Sequence, residues 1–242
     1  MFTKIYRIAG HNVQIKSIFE EIHMQCREYL VEEAPEYTVE TTPEDILFEQ
    51  KKSKDGVVYP ESYLETLAVY RKMAEYLLHQ RIVLFHGSVV AVDGEGYLFT
   101  AKSGTGKSTH TRLWREAFGE RAVMINDDKP LLKITDDGVL VYGTPWDGKH
   151  RLSTNTVVPL KAICILKRGN QNTIIAAEKR EVYPMLLQQM YRPQNGAGMS
   201  LALQLLDGIM EHTALYTLHC NMELEAAFVA YQGMNQSGEK NE

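Results

Sequence analysis

Residues Ala101–Ser108 read A-K-S-G-T-G-K-S. The phosphate-loop pattern is G-x-x-x-x-G-K-[ST], and only its first glycine is missing, replaced by Ala101. Gly104 and Gly106 let the backbone curl so that its N–H groups face inward. A concave row of donors at a helix N-terminus is an anion site. The expected nucleotide contacts are Ser103, Gly104, Thr105, Gly106, Lys107, Ser108 and Thr109. Lys107 reaches the terminal phosphates, the Ser108 hydroxyl holds Mg²⁺, and Thr109 touches the α-phosphate. The ligands so implied are ATP and Mg²⁺. A lysine at a helix start opposes the helix dipole unless an anion is present, and a plain glycine-rich turn does not account for that.

A second candidate follows about twenty residues on, where Asn126-Asp127-Asp128 ends an apolar run. Adjacent carboxylates repel unless a cation intervenes, so one of them, Asp128, is assigned to the metal with Ser108. The other accepts a proton from an attacking hydroxyl. Which carboxylate does which job is not fixed by the sequence. Without the loop upstream, an Asp pair before Lys129-Pro130 reads as a polar turn. Asp93, and Asp136-Asp137-Gly138, read as turn residues.

Positioning such groups requires strands that open onto one edge of a sheet. The sequence predicts strands at Ile82–Phe85, Val89–Val92 and Tyr97–Ala101, with Asp93-Gly94-Glu95-Gly96 turning between the last two. A helix is predicted over Lys107–Phe118, with Gly119 suited to its end. Further strands are expected at Ala122–Asn126, Leu131–Ile134, Val139–Tyr142, Lys161–Leu166 and Thr173–Ala177. Helix, strand and helix then follow at about Ser200–His212, Leu215–His219 and Glu223–Tyr231.

The first part of the chain reads as mostly helical. Ile15, Ile18, Phe19, Ile22, Cys26, Tyr29 and Leu30 fall at helical spacing. Tyr37–Thr41 reads as a short strand, Thr42-Pro43-Glu44-Asp45 as a helix start, and Glu61–Gln80 as a packing helix. Three divisions follow: a mostly helical extension over residues 1–80, a nucleotide-binding domain over 81–232, and a disordered tail over 233–242.

Composition bounds the rest. The 242 residues carry a formal net charge of -5, which argues against nucleic acid or an acidic membrane as partner. Cys26, Cys164 and Cys220 stand far apart with no Cys-x-x-Cys pair, so neither a disulfide framework nor a zinc site is expected. No signal peptide and no run of about 18 apolar residues is present, which points to the cytoplasm.

The segment F-H-G-S-V-V-A-V-D-G-E-G-Y-L-F-T-A-K-S-G-T-G-K-S-T, followed by I-N-D-D, resembles the HPr kinase/phosphorylase family. These are bacterial serine kinases related in fold to ATP-dependent phosphoenolpyruvate carboxykinase. The resemblance runs from Arg81 to about Leu166, a third of the chain. It implies an α/β fold, a mixed sheet carrying the phosphate loop, with the helical extension before it. It implies that His86 lies near the γ-phosphate and the Asp pair, and it implies a homo-oligomer, since relatives assemble as hexamers. The catalytic set is then Lys107, His86, Asp127 and Asp128. The family's phosphorylase segment is absent. In its place stands Gly143–Arg151, G-T-P-W-D-G-K-H-R, an exposed rigid loop from which Lys149 and Arg151 are candidates to meet the phosphates or a peptide carboxylate, with Trp146 and His150 ranked below Lys149. Arg168 and Arg192 are weaker candidates. The departure points away from HPr as acceptor and away from reverse phosphorolysis. It leaves transfer from ATP to a hydroxyl, serine of a protein or peptide, as the expected activity. Rival expectations are a small-molecule kinase or carboxykinase-like enzyme, and a non-catalytic nucleotide-binding sensor or maturation partner.

Overall fold

A computed structural model describes residues 1–53 and 56–236. The chain divides into two compact units, Met1–Gln80 and Arg81–Glu242.

The first unit is not mostly helical. Strands β1 (Phe2–Ile8) and β2 (His11–Ser17) form an antiparallel hairpin, and β3 (Tyr37–Glu40) pairs with β2 in parallel. Val13, Ile15 and Ser17 are buried on β2, which is the period of two that a half-buried strand requires. Ala9 and Gly10 take positive φ at the turn. The helical spacing read through Ile15, Ile18 and Ile22 spans a strand end and the start of a short helix, α1 (Glu21–Gln25). Two further helices follow. α2 (Pro43–Lys51) starts where expected, with the Thr42 amide donating to Asp45 Oδ2 at 3.1 Å. α3 (Glu61–Leu78) carries Glu65, fully buried, which accepts from the amides of Ile18 and Phe19 at 2.7 and 2.9 Å and from the Thr41 hydroxyl.

The second unit is built on a mixed sheet. Its strands are β4 (Ile82–Leu84), β5 (Ser88–Val92), β6 (Glu95–Thr100), β7 (Ala122–Asn126), β8 (Leu131–Ile134), β9 (Val139–Tyr142), β10 (Val157–Arg168), β11 (Thr173–Ala176) and β12 (Ala214–Cys220). The order is β4-β8-β9-β10-β6-β5-β7, and β12 pairs with β10 and β11. β6, β10 and β12 run parallel. β5 is antiparallel to both β6 and β7, so β6 and β7 point the same way with β5 between them. Helix α4 (Lys107–Phe118) joins β6 to β7 and packs with α7 (Glu225–Gln236) on the sheet. Trp114, fully buried, sits in that core with Tyr97, Phe99 and Phe118 around it. Helix α5 (Lys179–Gln189) was not anticipated, because Pro184 inside it reads as a helix breaker. Helix α6 (Gly196–His212) packs against β8 and β12.

The tail expected to be disordered from Gly233 is helical as far as Gln236. Met234, in the last turn of α7, is buried against the core. Residues 237–242 of that tail lie outside the described residues.

Gly143 shows where the backbone leaves no room. A Cβ there would lie 1.9 Å from the Thr154 carbonyl oxygen and 2.7 Å from that of Ile125. Both obstacles are backbone, so strands must shift. Gly143→Ala is therefore expected to lower stability by about 1–3 kcal/mol, read as a lower urea midpoint at unchanged slope. Gly196→Ala, with nothing within 4 Å of the added atom, should leave the midpoint unchanged or raise it.

Candidate functional site

The loop between β6 and α4 is shaped by two glycines. Gly104 has φ +77° and Gly106 φ +116°, conformations that disfavour any side chain. Space is not the constraint, since a Cβ at Gly104 would meet nothing within 4 Å. Ala101, standing where the pattern has its first glycine, is buried at the end of β6. Gly106 is the residue that caps α4, and it has no side chain with which to accept from the first-turn amides. Lys107 opens that turn and no acid lies in it. A helix start with a cation, no acid and no side-chain cap is a setting that favours an anion. Ser103, Gly104 and Ser108 are exposed there, and Thr105, Gly106, Lys107 and Thr109 are half-buried.

Because β6 and β7 point the same way, Asp127 and Asp128 emerge beside this loop. The link is direct. Ser88, fully buried at the start of β5, donates to Asp127 Oδ1 at 2.6 Å and lies 3.0 Å from Thr111 Oγ1 on α4. Thr111 in turn lies 3.3 Å from the Ser108 carbonyl. Neither Ser88 nor Thr111 was singled out in the sequence. A serine directly after His86-Gly87 was the signal available.

The two aspartates differ in surroundings. Asp127 is 7% exposed and is held by a hydroxyl. Asp128 is more open. It faces His86 Nε2 at 3.4 Å and is ion-paired with Lys129. Asn126 orients the turn, its Oδ1 accepting from the amides of Asp128 and Lys129 at 2.9 and 2.7 Å, and its Nδ2 donating to Thr144. His86 is placed by its backbone, whose amide donates to the Gln189 carbonyl at 2.7 Å while its carbonyl accepts from Thr100 Oγ1. Burial, and then the positive Lys107 and Lys129, hold the His86 imidazole below its ordinary pKa, with Asp128 and a Gln189 hydrogen bond pulling upward. Burial also lowers the Lys107 pKa, opposed by both aspartates. One field thus joins Lys107, His86, Asp127, Asp128 and Lys129. Gln189 went unrecognised because its helix did.

Gly143–Arg151 is only partly the exposed loop expected. Gly143, Thr144, Pro145 and Trp146 are buried, so Trp146 is a packing residue and is not open to a ligand. Gly148 (φ +72°) lies against Asp128, its would-be Cβ 3.2 Å from the Asp128 Cβ. Lys149, His150 and Arg151 are exposed. Arg168 is the basic residue that reaches that loop, donating from Nη2 to the Gly104 carbonyl at 2.8 Å. Arg192 is exposed and takes no part in these contacts.

No helix among the described residues is long and apolar enough to cross a membrane. No family model matches the chain, and no curated protein matches it. Among solved structures, the chain is similar to the Hpr(Ser) kinase/phosphatase from Coxiella burnetii, at a TM-score of 0.35 and 11% identity, covering 64% of this chain and 98% of that one. That is a distant structural relationship.

Proposed function

We propose that this protein is an ATP- and Mg²⁺-dependent phosphotransferase that moves the γ-phosphoryl group to a hydroxyl, serine of a protein or peptide being the acceptor class. The observation that carries the reading is the hydrogen-bonded chain from Asp127 through Ser88 to Thr111, which ties a carboxylate to the first turns of the phosphate-loop helix.

The donor set fits the metal. Mg²⁺ takes hard oxygen ligands and is commonly held by one or two protein oxygens together with phosphates and water. Ser108 and Asp128 supply such oxygens. Among the described residues no group of three or more His, Cys, Asp or Glu stands ready to hold a metal alone, which suits an ion brought in with the nucleotide. Asp128 is the carboxylate that already attracts cations, since Lys129 is bound to it. When bound, Mg²⁺ neutralises charge on the phosphates.

The protein's own groups do the rest. The loop amides from Ser103 to Thr109 and the Lys107 ammonium stabilise charge on the transferring group. The acceptor oxygen bonds to the γ-phosphorus as the bond to the β-phosphate oxygen breaks. The acceptor proton passes to a carboxylate. Asp127 suits that role, because among the described residues no ion pair within 4 Å holds it and Ser88 fixes its orientation through one oxygen, leaving the other to face the acceptor. His86 faces Asp128, its Nε2 3.4 Å from Asp128 Oδ1, and helps to position that carboxylate.

The assignment separates the two carboxylates. Asp127→Asn should cut transfer by about 10²–10⁴-fold with ATP–Mg²⁺ affinity retained, the range of a lost general base. Asp128→Asn should raise the Mg²⁺ concentration needed for half-maximal rate. Transfer to labelled lysate proteins from γ-labelled ATP provides the assay. Unchanged turnover in both variants would sink the assignment, and a wild-type chain that binds ATP but never turns it over would favour a sensor. Ser88→Ala should lower kcat with little change in KM for ATP, and Ser88→Thr should restore it.

The lowered pKa of His86 gives a pH test with a definite sign. A folded value below the ordinary histidine value of about 6.5 means the unfolded chain binds more protons as pH falls through that region, so acid weakens the fold through this group. The imidazole NMR titration should have its midpoint below that value. Lys107→Met removes a repelling cation and should move the midpoint upward.

A further inference from the structure

Gly148–Arg151 forms a turn that carries Lys149, His150 and Arg151 in succession, all exposed. Its flanks are fastened to the strand that ends in the two aspartates. On one flank, the Trp146 carbonyl accepts from the Lys129 amide at 3.2 Å, and Gly148 lies against Asp128. On the other, Ser153 bridges to Asn126, the Thr154 amide donates to the Ile125 carbonyl at 3.2 Å, and Thr154 Oγ1 donates to the Met124 carbonyl at 2.9 Å. The flanks are also tied to each other, Ser153 Oγ donating to Asp147 Oδ2 at 2.8 Å. A turn held at both ends keeps its exposed residues close to Asp127 and Asp128.

Charge on this turn is unbalanced. Exposed arginines elsewhere hold acids: Arg7 pairs with Glu33, Arg81 with Asp136 and Arg121 with Asp93. Among the described residues, no carboxylate lies within ion-pair distance of Lys149 or Arg151. Arg151 also takes φ +49°, a left-handed backbone that such a side chain adopts only at a cost. Two nearby cations repel each other, and an exposed pair of this kind attracts an anion. A guanidinium matches a carboxylate through two parallel N–H donors, which adds direction to the attraction. The cation fastened to the phosphate loop is a different one, Arg168, on the Gly104 carbonyl at 2.8 Å. Lys149 and Arg151 belong to the strand end that carries Asp127, and on the reading above an acceptor hydroxyl must come to that carboxylate.

We infer that the turn docks an acidic stretch of the acceptor, so that the protein selects peptides or proteins in which Asp or Glu residues stand near the serine. The inference rests on the phosphotransferase reading and adds to it the class of substrate.

The test uses three synthetic peptides, each with one central serine flanked by glutamates, glutamines or lysines. Transfer from γ-labelled ATP is measured on each with the full chain and with a double variant, Lys149→Glu with Arg151→Glu. Calorimetry gives the ATP–Mg²⁺ affinity of each chain, and thermal melting verifies that it is folded. The wild type is expected to use the glutamate peptide with a kcat/KM about tenfold above that of the glutamine peptide, and the lysine peptide least. The advantage should shrink as salt is raised, because exposed charges are screened. The double variant should invert the order. Lys149→Gln with Arg151→Gln should bring the glutamate and glutamine peptides level, and it serves in place of the charge-reversed chain if that chain does not fold. Equal use of all three peptides by the wild type, or an order that neither variant alters, overturns the inference while phosphotransfer stands. A variant that loses ATP–Mg²⁺ affinity and keeps the peptide order assigns the turn to the nucleotide and overturns it as well. If the wild type binds ATP–Mg²⁺ and phosphorylates none of the peptides, the phosphotransferase reading fails, and this inference fails with it.

Discussion

One buried hydroxyl organises the candidate site. Ser88 sits where three elements meet: its own strand β5, the end of β7 through Asp127, and helix α4 through Thr111. A carboxylate as buried as Asp127 costs free energy unless its oxygens are hydrogen-bonded. The Ser88 bond offsets that cost and at the same time fixes the direction of the carboxylate relative to the loop. The loop's position is fixed from the other side by the Arg168 guanidinium on the Gly104 carbonyl. Two hydrogen bonds thus hold the anion-facing amides and the carboxylate in register. On the proposed reading, such preorganisation is what phosphoryl transfer asks of a protein, since little covalent work falls to its side chains.

Charge is arranged with equal economy. Lys107 feels both aspartates, and Lys129 is bound to Asp128. His86 sits among these groups with its proton affinity depressed, first by burial and then by Lys107. Lys107 and Lys129 stand beside the two aspartates, while the chain as a whole is acidic, with a net charge of -5.

Much of the second unit was legible in the sequence. α4, β7, β8 and β9 have the predicted bounds, because short β-branched runs were separated by Asp-Gly and Gly turns that punctuate clearly. The parallel direction of β6 and β7 was also legible. The antiparallel strand β5 between them was not, since pairing partners distant in sequence leave no local trace. Local patterning misled in the first unit. Ile15, Ile18 and Ile22 satisfy a helical period by coincidence, while Val13, Ile15 and Ser17 carry the alternation that decides the structure. The site residues were found where motif and spacing mark them, as at Lys107 and Asp127. Ser88, Thr111 and Gln189 were missed because their roles arise from strand pairing and from a helix hidden by Pro184. Trp146 shows the opposite error, a conspicuous side chain in a loop that turns out to be core.

The order of β5, β6 and β7 also separates what can vary from what cannot. Their ends at Ser88, Thr100 and Asn126 face the loop. Their other ends meet at Val92, Glu95 and Ala122, where Asp93 and Gly94 make the hairpin turn and Arg121 pairs with Asp93 at 2.5 Å. Lengthened turns, inserted segments or grafted recognition loops can accumulate there over evolutionary time, or be added by an engineer, while the opposite end keeps its spacing. A chain of this design is free to acquire new associations at one end while the loop end keeps its geometry.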